Sequence, residues 1–156
     1  MRAMFPGSFD PVHLGHLDII GQAATLFGEV VVVVMNNPGK PVGMFSVDER
    51  VELAKSATSH IKGVTVNPAS GLAVDAAKKF GADFIVKSVR NAADFDVEVQ
   101  MADTNRVVGA IETVLLIAKP QNAFISSRYV RDVALNGGDV SALVPKVVVE
   151  AISKKK

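Results

Sequence analysis

The hydrophobic residues of this chain form short runs that alternate with longer amphipathic stretches. Five runs have the length of strands, at residues 3–5, 30–35, 64–66, 84–86 and 114–118. Apolar residues occupy consecutive positions in these runs, as expected of strands that are covered on both faces. The pattern therefore predicts a parallel sheet of five strands.

The stretches between these runs predict helices. Four apolar residues on one helical stripe precede Gly28, which is a stop signal, and Ser46 with Glu49 has the spacing of a capping box. Further helices are predicted over residues 73–80 and 94–107 and after residue 118, with Pro145 opening the last. The alternation indicates an α/β, doubly wound, Rossmann-like fold with helices on both faces and a helical C-terminus, whose ligands lie beyond the carboxyl ends of the strands.

Composition narrows the classes of protein that this chain can belong to. Its 156 residues suit one domain over 1–156, with the lysines at 154–156 as a frayed tail. A net charge of +1 gives no general attraction to nucleic acid or to a membrane. The chain has no cysteine, which excludes disulfides and thiolate metal sites and fits a cytoplasmic protein. We expect neither a signal peptide nor a membrane span.

The segment from Met4 to His16 carries the strongest candidate chemistry. An apolar run ends at Pro-Gly, and two histidines three positions apart precede a helical pattern. Gly7 and Gly15 would allow a ligand close to the backbone, and the helix opening near His13 would direct N–H groups at a phosphate. The histidines could instead be surface residues or part of a zinc site, but only His60 remains as a further histidine ligand.

The residues His13-Leu14-Gly15-His16 resemble the (His/Thr)-x-Gly-His signature of the nucleotidyltransferase superfamily. The preceding Pro-Gly-Ser-Phe-Asp-Pro and four later segments are similar to the bacterial phosphopantetheine adenylyltransferase family. The resemblance implies adenylyl transfer from ATP to 4′-phosphopantetheine, giving dephospho-coenzyme A and pyrophosphate by in-line attack without a covalent intermediate. It also implies Mg²⁺ carried by ATP, no metal site of the protein's own, possible binding of coenzyme A, and a homohexamer.

Two later segments place cations after predicted strands. Lys87 and Arg90 end a buried run, where Lys is a point charge and Arg a fork for phosphate oxygens. The resemblance implies that Lys87 contacts the substrate phosphate and that Arg90 contacts the ATP phosphates. It also implies that Lys40 contacts both the substrate phosphate and the α-phosphate of ATP. From the residues alone, Lys40 could equally be a solvated loop lysine. Ser88 replaces a family glycine and would be strained if that position needs a positive φ.

The remaining contacts are also implied by the resemblance. Ser126 and Ser127 could be no more than an N-cap, and Leu72 with Ala73 could simply begin a core-facing helix. Arg128 stands where the family usually has a third serine. The implied catalytic residues are His16, Lys40, Lys87 and Arg90. The implied ATP contacts are Ser8, Phe9, His16, Ser88, Val89, Arg90, Glu98, Asn122, Ala123, Phe124, Ile125, Ser126, Ser127 and Arg128. The implied substrate contacts are Ser8, Lys40, Leu72, Ala73 and Lys87.

Two other functions remain open on the sequence. A sister nucleotidyltransferase, such as a nicotinamide-nucleotide adenylyltransferase or a cytidylyltransferase, shares the histidine signature and a late serine-rich segment. A non-catalytic nucleotide-binding module is the alternative from another class, with Ser88 and Arg128 marking a decayed site. Neither G-x-G-x-x-G nor G-x-x-x-x-G-K-[ST] occurs, which argues against dinucleotide oxidoreductases and P-loop enzymes.

Overall fold

The computed structural model describes residues 1–39, 41 and 43–155. Its strands are β1 Arg2–Gly7, β2 Glu29–Asn36, β3 Val64–Ser70, β4 Phe84–Val89 and β5 Glu112–Ile117. They form one sheet in the order β3-β2-β1-β4-β5, and every neighbouring pair is parallel. The predicted five-stranded parallel sheet is confirmed.

The helices are α1 Leu14–Phe27, α2 Val47–Thr58, α3 Ala73–Lys79, α4 Ala92–Gly109, α5 Ser127–Leu135 and α6 Lys146–Ser153. Several residues that were predicted to begin or end helices do so in the structure. Gly28 ends α1 with a φ of 84°, Ser46 and Glu49 make both bonds of the capping box before α2, and Pro145 precedes α6. Within the described residues, no helix has both the length and the apolar character needed to cross a bilayer.

Both faces of the sheet are covered. Along β2, the side chains of Val30, Val32 and Val34 pack into one core cluster, and those of Val31 and Val33 pack into another. The first cluster contains residues of α1, α2, α5 and α6, whereas the second contains residues of α3. Helix α4 joins the α3 side, where Gly109 lies against Val74. The doubly wound arrangement with a helical C-terminus is therefore confirmed.

The order of the strands reverses direction between β1 and β4. The chain proceeds from β1 outward to β3 and then returns to the other side of β1 for β4 and β5. Ala3 and Met4 of β1 pair with Phe84 and Ile85 of β4, so the carboxyl ends of these two strands are adjacent. Ligands of such sheets bind in the crevice at this reversal. The histidine signature follows β1 and Arg90 follows β4, so both lie at this crevice.

Most element boundaries differ by a few residues from the sequence prediction, and two of them have an evident physical cause. Helix α4 begins at Ala92, because the side chain of Asn91 caps it by accepting a 2.9 Å hydrogen bond from Asp94 N. Asp94 consequently lies in the first turn of the helix and Asp96 in the second. Strand β5 begins at Glu112, ahead of the apolar run, since it is an edge strand and tolerates polar side chains.

The C-terminal lysines are not all a frayed tail. Lys155 Nζ lies 3.0 Å from Glu49 Oε1 and 4.9 Å from the centre of the Phe45 ring, so it is docked on α2 and the segment before it. The expectation for residue 156 lies outside the described residues. The docking was missed because it joins residues that are far apart in the sequence.

Candidate active site

Residues of four separate segments meet in a cavity beyond β1 and β4. It has a volume of about 240 Å³ and is called here the histidine cavity. Its lining comes from the start of α1, the end of β4, the residue after β5 and the approach to α5: His13, Gly15, His16, Ser88, Arg90, Ala118, Asn122, Ile125, Ser126 and Ser127. The structure thus brings together the histidine signature, the first arginine after β4 and the serine segment.

The two histidines form a reciprocal cap at the start of α1. His13 is the N-cap, and its Nδ1 accepts a 3.3 Å hydrogen bond from His16 N. In return, His16 Nδ1 accepts a 3.1 Å hydrogen bond from His13 N. The rings are stacked, with centroids 3.6 Å apart and an angle of 21° between their planes. The signature spacing therefore builds a capping box in which both side chains are imidazoles.

Aromatic rings surround the histidine pair on the core side. The Phe9 ring lies 4.8 Å and the Phe5 ring 6.3 Å from the His16 ring, both edge-on. Burial and, to a smaller extent, the charge of the nearby Arg90 guanidinium lower the pKa of His13 from its ordinary 6.5 to about 3. The pKa of His16 also falls well below its ordinary value, first through burial and then through His13 and Arg90. Both imidazoles are therefore neutral near pH 7.

Gly15, which was expected to admit a ligand, instead makes room for the side chain of His13. A Cβ on Gly15 would lie 2.9 Å from Cε1 of His13 and 3.3 Å from the Asn122 carbonyl. The amides of α1 are also less available than predicted, because Leu14 N donates to the Leu143 carbonyl at 3.0 Å and His16 N is capped. The start of α1 thus orients the histidines more than it forms an open anion site.

Two cations at the end of β4 are held by carboxylates of α4. Arg90 Nε and Nη2 donate to Asp94 at 2.8 and 3.2 Å, and the bond from Arg90 lowers the pKa of Asp94. Lys87 Nζ lies 3.3 Å from Glu98 Oε1, while Glu98 Oε2 is buried without a hydrogen-bond partner among the described residues. The i,i+4 spacing of Arg90 and Asp94 could have signalled the first pair. No comparable sequence signal marks the second.

Ser88 does not carry the strain expected of a residue in place of glycine. It lies within β4, paired in register with Leu116, and Val89 pairs with Ile117. Among the described residues other than glycine, only Phe9 and Ala110 have positive φ values. The condition under which Ser88 would be strained is therefore not met, because the position has extended strand geometry. Phe9 itself is only 2% exposed, so its side chain belongs to the core.

The serine segment begins α5 as an N-cap. Ser126 Oγ accepts a 3.2 Å hydrogen bond from Tyr129 N, and Ser127 Oγ donates to the Pro11 carbonyl at 2.8 Å. The Ser127 hydroxyl thus fastens α5 to the loop after β1. Arg128 is exposed and lies outside the cavity lining.

The residues just before α5 are divided between core and surface. Ile125 is buried, and its carbonyl accepts a 3.3 Å hydrogen bond from Arg90 Nη1. Ala123 packs against the larger core cluster, whereas Phe124 is 67% exposed. Asn122 lines the histidine cavity. Of this predicted ATP segment, the structure therefore brings Asn122, Ile125, Ser126 and Ser127 to the cavity.

A second cavity lies on the other side of β1, toward β2. Its volume is about 680 Å³, and it is called here the arginine cavity because Arg50 and Arg131 line it together with Ser8 and Asp10. Arg50 Nη1 donates to the Ser8 carbonyl at 2.8 Å, and Arg131 Nη1 donates to the Asp10 carbonyl at 2.6 Å. Both arginines, which the sequence analysis did not single out, hold the backbone of the loop after β1.

Asp10 connects this loop to the segment before α2. Its carboxylate accepts 2.9 Å hydrogen bonds from the amides of both Met44 and Phe45. A Cβ on Gly43 would collide with the same carboxylate, so only glycine fits there. Lys40, predicted to contact both reacting phosphates, lies outside the described residues.

The predicted pantetheine contacts lie at the edge of the sheet. Leu72 precedes α3 and is 56% exposed, while Ala73 packs against the smaller core cluster. They follow β3, two strands away from β1. They are not part of the histidine cavity lining.

A larger cavity elsewhere on the molecule does not compete with this site, and neither does a metal cluster among the described residues. A cavity of about 810 Å³ lies at the amino ends of the strands, next to Arg2, Glu29 and Lys55, away from every predicted site residue. Within residues 1–39, 41 and 43–155, no group of three His, Cys, Asp or Glu side chains could hold a metal ion. His60 lines a separate groove beside Asp18. The chemistry of the lining therefore favours the histidine cavity.

The chain is similar to known proteins over nearly its whole length. A family model described as cytidylyltransferase-like matches residues 4–133. The phosphopantetheine adenylyltransferase of Corynebacterium diphtheriae is 47% identical over 154 residues, spanning 99% of this chain and 97% of the relative. The enzyme of the same name from Synechococcus sp. (strain CC9311) is 46% identical, spanning 99% and 96%, and that from Cutibacterium acnes is 47% identical, spanning 99% and 98%.

Proposed function

Because this chain belongs to the phosphopantetheine adenylyltransferase family, we propose that it transfers the adenylyl group of ATP to 4′-phosphopantetheine, forming dephospho-coenzyme A and pyrophosphate. The observation that carries the proposal is the similarity to enzymes of that name over nearly the whole chain. The histidine cavity at the reversal of strand order supports locating the reaction there. We place this reaction in the cytoplasm.

The proposed reaction is a single in-line displacement. A terminal phosphate oxygen of 4′-phosphopantetheine forms a bond to the α-phosphorus of ATP while the bond from that phosphorus to the pyrophosphate oxygen breaks. The attacking phosphate is already ionised at neutral pH, so no general base is needed. Catalysis then depends on positioning and on stabilising the charge around the α-phosphorus.

The proposed roles follow the placement of the cations and histidines. His16 contacts the α-phosphate in the transition state, and Arg90, which lines the same cavity, contacts the pyrophosphate side. Lys87 takes the phosphate of phosphopantetheine, with Ser8 and Lys40 holding the reacting phosphates. Lys87 and Arg90 are each paired with a carboxylate, so both are held at the end of β4 before substrate arrives.

The rest of each substrate is assigned to the surfaces beside these residues. The amide-rich pantetheine arm would run toward Leu72 and Ala73, and the exposure of Leu72 leaves a contact surface for it. ATP would lie along Ser88, Val89, Glu98 and the segment before α5. Mg²⁺ is proposed to arrive on ATP and to be held by phosphate oxygens, because Asp94 and Glu98 are already engaged by Arg90 and Lys87.

A pyrophosphate-release assay with a substrate panel tests the function. We expect turnover with ATP and 4′-phosphopantetheine, and little with CTP and glycerol phosphate or with ATP and nicotinamide mononucleotide. Preference for either of the latter pairs would identify a sister nucleotidyltransferase. Binding of ATP without turnover on any pair would indicate a non-catalytic nucleotide-binding module.

The apolar surface of α4 supports a further proposal, that copies of this chain associate into a homohexamer. Phe95, Val97, Met101 and Val108 on α4 are between 50% and 60% exposed, and Val107 is 85% exposed. Such a patch is typical of a surface that is covered by another protein. Light scattering after size-exclusion chromatography should give six times the chain mass, and Val97→Glu together with Met101→Glu should lower it. A monomer at all concentrations would contradict the proposal.

A further inference from the structure

The hydrogen bonds of the histidine cap determine where the His16 proton lies. A neutral imidazole has one nitrogen that donates and one that accepts. His16 Nδ1 faces the N–H of His13 at 3.1 Å and must therefore accept. The proton of neutral His16 is consequently on Nε2, the ring nitrogen that the cap leaves unused.

Charging either ring would break the cap. An imidazolium carries protons on both nitrogens, so Nδ1 would present an N–H to the backbone N–H that it now accepts from. The same argument applies to His13, whose Nδ1 accepts from His16 N at 3.3 Å. Neutrality of the pair thus follows from its hydrogen bonds and not only from its burial.

The groups around the pair favour the same state. Apart from the histidines, Arg90 at the end of β4 is the charged residue that lines the histidine cavity, and its positive charge opposes imidazolium formation. The start of α5 contributes Ser126 and Ser127, and the core side contributes the rings of Phe5 and Phe9. No carboxylate lies among the described residues of the cavity lining. The nearest acidic group on α4, Asp94, is bonded to Arg90.

We propose that the reciprocal cap fixes His16 as a neutral Nε2–H donor to the reacting phosphates, with His13 as its positioning residue. This rests on the proposed function for the identity of the reaction. His16 gives a hydrogen bond and moves no proton, which suits a nucleophile that is already ionised. His13 acts through its backbone N–H on Nδ1 of His16, through its own Nδ1 on His16 N, and through the stacked ring.

Nitrogen NMR of the imidazoles tests the protonation state without any assay of activity. In uniformly ¹⁵N-labelled protein, the signals of His16 are assigned by their loss in His16→Gln, and the exposed His60 serves as an internal reference. We expect an unprotonated Nδ1 and a protonated Nε2 for His16, unchanged from about pH 8 to about pH 5.5. A protonated Nδ1, or titration within this range, would overturn the proposal. An inactive protein with the expected signals would instead contradict the proposed function alone.

Substitution of His13 gives a matched pair of variants. Asn and Asp are both good N-caps that accept from the N3 amide, and both keep the backbone N–H that faces His16 Nδ1. Only His13→Asp places a negative charge beside His16, where it stabilises imidazolium. We expect the imidazole nitrogen signals of His16 to titrate at a higher pH in His13→Asp than in His13→Asn. Titration of His16 at the same pH in both variants would refute the proposal.

The third test replaces the proposed donor itself. Gln can present a neutral N–H near the position of Nε2, whereas the shorter Asn cannot reach it. We expect His16→Asn to lose about 10²–10³-fold in kcat and His16→Gln to lose at least about tenfold less. Equal losses would show that a neutral donor is not what the reaction requires, even if the NMR result is as expected. Urea unfolding of both variants controls for stability.

Discussion

The two cavities beside β1 use their cationic residues in different ways. In the arginine cavity, Arg50 and Arg131 donate to backbone carbonyls of the loop after β1. At the end of β4, Lys87 and Arg90 are paired with carboxylates on α4. A guanidinium that donates to backbone carbonyls holds the loop and contributes to the fold, whereas an ion pair fixes the position of a cation for which a phosphate can then compete.

This difference predicts that substitutions at the histidine cavity lower activity, while those at the arginine cavity lower stability. The histidine pair belongs to the first group, since its cap is local to α1 and its free Nε2 is available to a ligand. Asp10 and Gly43 belong to the second, since their contact joins two loops.

The largest effect is expected for His16→Ala. Removing a donor to the transition state should lower kcat by about 10²–10³-fold, while circular dichroism changes little and the loss of half of the cap lowers the free energy of unfolding by about 0.5–2 kcal/mol. His60→Ala is the matched control, because His60 lies in a separate groove. Turnover within a few-fold of the original would show that His16 does not stabilise the transition state.

Lys87→Ala should have the next largest effect, on substrate use. Loss of a charged hydrogen bond of about 1.5–3 kcal/mol should raise the KM for 4′-phosphopantetheine by about 10–100-fold and leave the KM for ATP within a few-fold. Lys55→Ala provides the control, since that exposed lysine pairs with Glu52 at the opposite end of the sheet. An unchanged dependence on 4′-phosphopantetheine would contradict the assignment of Lys87.

Gly43→Ala tests the arginine cavity. The added Cβ would displace the Asp10 carboxylate from the amides of Met44 and Phe45, so we expect a loss of about 1–3 kcal/mol in the free energy of unfolding. Urea denaturation measures it. Gly39→Ala is a control in the same loop, because its Cβ would lie 3.5 Å from Asn37 Oδ1 without a clash. Equal stability of the two variants would mean that the Asp10 contact does not hold the loop.

The parts of this molecule that the sequence predicted are those governed by local pattern. Consecutive valines in β2 require cover on both faces, and the Ser46–Glu49 box forms within one helical turn. The family resemblance placed the histidine signature and the serines beside one another. It could not reveal that Leu143 uses the first amide of α1 or that Glu98 pairs with Lys87. Such contacts depend on which surfaces the tertiary fold brings together.

Acid titration should show a smaller, graded effect on stability. The pKa of His13 is lowered from 6.5 to about 3 in the folded protein, so below pH 6.5 the unfolded chain binds more protons. Stability is therefore complete above pH 6.5 and falls as the pH drops toward 3, by up to about 1.4 kcal/mol per pH unit for each such histidine. Urea unfolding between about pH 6.5 and 5 avoids most carboxylate titration, and His13→Asn should lessen the slope. A slope that is the same in both proteins would show that His13 titrates normally.

The smallest effect is expected for Ser88→Gly, which restores the residue usual in the family. Ser88 lies in β4 with strand geometry opposite Leu116, so glycine relieves no strain there. It adds flexibility to the unfolded chain, and we expect a loss of about 0.5–1 kcal/mol in the free energy of unfolding with ATP affinity nearly unchanged. Urea unfolding and calorimetric titration with ATP measure the two quantities. A gain in stability, or a tenfold gain in ATP affinity, would mean that the hydroxyl at this position disturbs the histidine cavity after all.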